Sequence, residues 1–183
     1  DILPYDTDAL ASIKITKGNV YMNSFYAAKA LKDNNRAKEY LQVLIDAKFD
    51  DSRIYVFMTD ILIEEGDVDK ALDYVSLARE RYPTDQMILN SEINCYIKLN
   101  RVPELIEKLT EAIDLDPTND VLFVNRAIIH QEEGNILAAE KDYLSALVHN
   151  PSSFDANYSL GALYFNLGAE TTNKANATSN NNT

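Results

Sequence analysis

Three prolines, Pro83, Pro117 and Pro151, fall 34 residues apart, and each closes a stretch that reads as two short amphipathic helices joined by a turn. A fixed period of this length constrains the fold more than any other feature, because each unit carries an apolar stripe that it cannot bury alone. In the unit ending at Pro151, Phe123, Ala127 and His130 share one face of the first helix, and Ala139, Tyr143 and Ala146 answer from the second. One period earlier the same positions hold Leu89, Ile93 and Tyr96, then Leu105, Leu109 and Ala112. One period before that they hold Tyr55, Thr59 and Leu62, then Ala71, Val75 and Ala78. Positions i, i+4 and i+7 lie on one side of a helix. Small residues in the second helix let a pair approach closely, and large ones fill the space to the next pair. The expected fold class is all-α, an α-solenoid of stacked antiparallel helix pairs.

Turn chemistry sets the boundaries. Gly66 and Gly134 follow the first helices of their units, where a left-handed residue ends a helix without a Cβ clash. Asn100 stands at the equivalent place and is the next-best residue for it. Ser52 is expected to N-cap a helix, Pro103 fits a first helical turn, and Arg79 and Arg81 suit a helix C-terminus. These signals divide the chain into a degenerate pair over 18–51 and clean pairs over 52–85, 86–119 and 120–153. A helix over 154–175 lacks its second member. The first pair departs from the others in ending at Phe49-Asp50 instead of proline, and in placing Phe25 where a small residue is expected. Residues 1–17 read as an extension lying against it, and the Asn-rich 176–183 as a flexible tail with nothing apolar to bury.

Charge narrows the function. The net charge is −12 and the pI about 4.5, so phosphate backbones and anionic lipid surfaces repel the chain, and nucleic acid is not an expected partner. No run approaches the ~18 apolar residues of a membrane span, so membrane insertion is not expected either. Cys95 is the one cysteine and has no histidine in its unit to activate it. His130 sits on the core stripe, where a buried, hydrogen-bonded role is expected, and His149 falls just before Pro151. Neither zinc or calcium ligand spacing nor a phosphate-cradling glycine loop occurs, so the chain reads as a non-enzyme without metal or cofactor.

The 34-residue period, the Ala71/Ala78 and Ala139/Ala146 pairs, the three prolines, and Gly161 with Tyr164 together resemble the tetratricopeptide repeat (TPR) family over residues 18–168. Phe25, Phe49, Ile93 at a small-residue site and the absence of tryptophan depart from that pattern. The resemblance implies that the first helix of each pair lines a concave groove. Three rows at 34-residue steps lie off the core stripe and are expected to face it: Met22, Val56, Asn90, Val124, Tyr158; Tyr26, Asp60, Asn94, Ile128, Ala162; and Asn23, Phe57, Ser91, Asn125, Ser159. The candidate partner-binding residues are Tyr26, Asp60, Asn90, Asn94, Val124, Asn125, Ile128 and Tyr158. Amides can pair with the backbone of an extended peptide, and the aromatic and apolar members can pack beside it.

The function implied is a protein-interaction scaffold for a peptide or a partner helix. The alternative is an assembly module that self-associates through residues 154–168, whose Tyr158, Leu160, Leu163 and Leu167 leave an uncapped apolar end. Some TPR proteins hold a C-terminal carboxylate with lysine, arginine and asparagine. The matching positions here, Asn90, Asn94, Asn125, Asp155 and Ser159, supply no cation, so such tails are not expected to bind. The chain starts at Asp1 and its Asn-, Ile-, Lys- and Tyr-rich usage is similar to exported TPR proteins of gut-type bacteria, so an exported or periplasmic location after signal-peptide removal is expected over a cytoplasmic one.

Overall fold

The structure is a computed structural model that describes residues 17–180, with side chains described to residue 173. The expected extension, apart from Lys17, and the last three tail residues lie outside the described residues. Among the described residues nine helices follow in order: α1 (Lys17–Ala30), α2 (Asn34–Asp46), α3 (Arg53–Glu65), α4 (Val68–Arg81), α5 (Gln86–Leu99), α6 (Val102–Leu115), α7 (Asp120–Glu132), α8 (Ile136–His149) and α9 (Phe154–Asn180). Among the described residues there is no strand. The all-α helical repeat expected from the 34-residue period is what the chain forms.

The described residues divide into two compact units, one up to Leu99 with α1 to α5 and one from Asn100 with α6 to α9. In the first unit each helix packs on the next in sequence, and α3 also packs on α5. Ala71, Val75 and Ala78 of α4 are all but inaccessible, as are Tyr55, Thr59 and Leu62 of α3, so both stripes face the core as their spacing requires. The second unit repeats the arrangement, with α7 packed on α6, α8 and α9. Its core collects Phe123 and Ala127 from α7, Ala139, Tyr143 and Ala146 from α8, and Ala156, Leu160 and Leu163 from α9.

The turns follow the residues that fill them. Gly66 and Gly134 adopt φ of +82° and +76°, and Asn100 takes φ of +53° in the place of glycine. Pro103 lies in the first turn of α6, where a missing N–H leaves no bond unmade. Ser52 occupies the N-cap position of α3 but its side chain does not cap the helix. Asp51 does the work instead: one carboxylate oxygen accepts from the Arg53 amide at 3.1 Å while the Arg53 guanidinium donates to both. That guanidinium holds the Asp51 carboxyl below the ordinary aspartate range.

The first pair shows how a phenylalanine replaces a proline. Lys48 takes φ of +51° and the Phe49 amide donates back to the Leu44 carbonyl at 3.0 Å, closing α2 with a Schellman-type turn. The Phe49 ring lies over Gly18, where a Cβ would fall 2.0 Å from a ring carbon. Phe25, at the expected small-residue site, is buried and stacks on Phe57 with centroids 4.8 Å apart. At the other end, α9 continues to Asn180, past residue 175. No glycine or proline interrupts residues 169–180, and the backbone ladder propagates without an apolar face.

Candidate functional site

In the second unit, the first residues of α7 and α9 border a cleft of about 160 Å³. Val121, Val124, Asn125 and Ile128 line it from α7, at spacings that put them on one helix face. Asp155 and Ser159 line it one turn apart on α9, and Ser153 lies just before that helix. Asp120 completes the lining, with one carboxylate oxygen accepting from the Asn150 side-chain amide at 3.0 Å. Ser153 is buried; its carbonyl accepts from the Asn157 amide nitrogens at 2.9 and 3.1 Å.

Three of the sequence-expected residues, Val124, Asn125 and Ile128, therefore meet at one cleft, joined by Ser159 from the same rows. Tyr158 is not part of its lining; it is 69% exposed and stacks on Phe154 at 5.9 Å. Asp120, Val121 and Ser153 were not singled out by sequence. The first two sit one helical turn before Val124 and Asn125, a signal visible once the face is fixed.

The other four expected residues belong to the first unit. Tyr26 is 45% exposed and meets the Phe57 ring edge-on at 5.9 Å. Asn90 and Asn94 are exposed on α5. Asp60 is an exposed residue, yet partial burial of its carboxyl raises its pKa, the nearby Glu64 raises it further and Lys29 opposes both. Lys29 itself pairs with Glu64 at 3.1 Å. A raised carboxyl pKa means the folded state binds the proton more tightly, so stability is full below pH ~4 and declines as pH rises through the folded value. Asp60→Asn is thus expected to raise the melting temperature at pH 7 and to leave it nearly unchanged at pH 3; equal effects at both values would rule out a burial cost.

Burial is wider than the sequence rows assumed. Met22, Val124 and Ser91, each expected to face the groove, are 8, 5 and 3% exposed. The reason is that first helices pack on several neighbours at once, as α3 does on α2, α4 and α5, so positions beside the stripe are covered too. Val124 belongs to the core of its unit while its edge reaches the cleft. His130 is half-buried, and its Nδ1 lacks the expected hydrogen bond. Cys95 is inaccessible, and burial, reinforced by Glu92 and Asp60, pushes its thiol up to about 11, far from a nucleophilic thiolate. Among the described residues no cluster of three His, Cys, Asp or Glu side chains is placed to hold a metal ion, and no helix is long and apolar enough to cross a membrane.

The helices, their period and their left-handed turns define an all-α repeat protein. No family model matches the sequence, and no curated protein is similar to it by sequence. Solved structures are similar to it in fold. A tetratricopeptide repeat protein from Parabacteroides merdae superposes with a TM-score of 0.72 at 17% identity, over 80% of this chain and 58% of that one. MamA from Desulfovibrio magneticus gives 0.69 at 14% identity, over 89% and 92% of the two chains. YrrB, described as a TPR protein with an unusual peptide-binding site, gives 0.62 at 15% identity, over 78% and 74%. The fold is the tetratricopeptide-repeat fold, and the chain spans just over half the length of the Parabacteroides protein.

Proposed function

We propose that this chain is a non-enzymatic protein-interaction scaffold that takes an extended peptide or a partner helix on the exposed faces of its first helices. The α7–α9 cleft carries the reading, because apolar and polar groups converge there on the face expected to bind. Asn125 is exposed beside Ile128 and has both amide groups available for a peptide backbone. Tyr26, Asp60, Asn90 and Asn94 would supply corresponding contacts in the first unit, and Tyr158 a flanking aromatic surface in the second. YrrB, of the same fold, is described as having a peptide-binding site, which supports a peptide ligand.

Affinity capture from a cell extract with the wild-type chain and an Asn125→Ala/Ile128→Arg variant tests it. Partners held by the wild type should be depleted roughly tenfold on the variant, the loss of one hydrogen bond and one apolar contact. Equal recovery of every partner would place the binding surface elsewhere.

Self-association is the second reading; of the residues expected to leave an open apolar end, Leu160 and Leu163 are buried, whereas Tyr158 is 69% exposed and Phe154 and Phe165 on the same helix are each 76% exposed. A patch of that kind on a terminal repeat is a surface for stacking. Light scattering that stays at the 20.6 kDa monomer mass across concentration would dismiss it.

A further inference from the structure

The cleft between α7 and α9 carries two carboxylates, Asp120 and Asp155, and no cationic side chain lines it. Asp120 shares one oxygen with Asn150, whereas Asp155 has no hydrogen-bond or ion-pair partner among the described residues. Ser153, 9% exposed, lines the same cleft, and its hydroxyl has no hydrogen-bond partner among them either. Both acids lie in first helical turns, whose ends carry about half a positive charge each, so the pair stays net negative. The volume corresponds to about five waters, room for one long side chain and too little for a helix.

Resting on the peptide-binding reading above, we propose that this cleft selects a lysine or arginine side chain of an extended peptide. Its aliphatic stem lies along Val121, Val124 and Ile128, and its charged head reaches Asp120 and Asp155. The Ser153 hydroxyl and the Asn125 carbonyl accept the N–H groups left over. An acidic side chain is repelled there, and an apolar one strips water from two carboxylates without replacing it. The net charge of −12 draws basic partners toward the whole chain, so the cleft adds position to a general attraction.

The test uses the 183-residue chain and pools of ten-residue peptides, acetylated and amidated, with one position fixed as lysine, norleucine or glutamate and the others mixed. Fluorescence anisotropy should rank lysine pools above norleucine and norleucine above glutamate at low salt. In Asp120→Asn/Asp155→Asn the lysine preference should fall roughly tenfold, the loss of two partly exposed ion pairs, while norleucine pools bind as before. Asparagine matches aspartate in size, neither Asp120 nor Asp155 is a helix cap, and circular dichroism verifies the fold of the variant. Norleucine or glutamate pools binding wild type as well as lysine pools would overturn the cationic selection and leave the peptide reading standing. Unchanged lysine preference in the double variant would overturn it equally. Binding of no pool at all would remove both.

Discussion

Replacing Arg126 with methionine is expected to destabilise the protein by about 3 kcal/mol, because it leaves a buried carboxylate without its counter-charge. Asp142 is 3% exposed, and Arg126 grips it with two parallel bonds of 2.7 and 2.8 Å. A third donor reaches the Thr110 hydroxyl at 2.8 Å, and that hydroxyl donates to the Ile106 carbonyl at 2.8 Å. One guanidinium therefore joins α6, α7 and α8, and its bonds to the Asp142 carboxylate raise the Arg126 pKa above the ordinary arginine range. Urea titration followed by circular dichroism measures the loss. An Arg126→Met/Asp142→Leu double variant should recover most of it, since apolar replacement of both partners removes the uncompensated charge. A single-variant loss below about 1 kcal/mol would mean that the pair behaves as a surface ion pair.

The second large effect is expected at Tyr143, which is 1% exposed and among the largest fully buried side chains. Tyr143→Ala should cost about 3–5 kcal/mol, the loss of an aromatic side chain plus the cavity it leaves among α7, α8 and α9. Tyr143→Phe keeps the ring and loses the phenol's hydrogen bonds, its donation to the Gln131 side-chain oxygen at 3.1 Å and its bond with Ser159, for a cost of about 1 kcal/mol. The phenylalanine variant also differs from the wild type in its response to alkali. Burial raises the Tyr143 phenol, with a bond from Ser159 opposing the shift. The folded state then holds the proton more tightly, so stability is complete below pH ~10 and falls as pH rises through the folded value. Tyr143→Phe should flatten part of that alkaline fall. A phenylalanine variant as alkali-sensitive as the wild type would mean that the loss arises elsewhere.

Neither of these effects was readable in equal measure from the sequence. Tyr143 stands on the period, opposite Ala127 and between Ala139 and Ala146, so its burial follows from counting. Arg126 and Asp142 stand off the apolar stripe, where charged residues ordinarily meet water. Their pairing depends on which way two packed helices turn toward each other, and a one-dimensional pattern carries no such angle. The same limit divided the candidate site. Asn125 and Ile128 were legible as exposed positions, and Val124 was not legible as buried, because the contacts that cover it come from helices at other repeats. Turn residues were legible where backbone conformation alone decides, as at Gly66, Gly134 and Asn100. Lys48 was missed because nothing in a lysine announces a left-handed residue.

The Arg81 side chain gives the first helix pair an unusual dependence. It donates to the Lys48 carbonyl at 2.9 Å and the Phe49 carbonyl at 3.2 Å, while the Tyr82 hydroxyl donates to Asp50 at 3.0 Å. The carbonyls of the turn that follows α2 are thus answered by Arg81 of α4, a helix from the following pair. Repeat arrays invite shuffling, with single units moved between proteins as spare parts. Here the α1–α2 pair borrows part of its closure from α4, so any graft or deletion designed by period alone must carry residues through Tyr82 to bring the joint along intact.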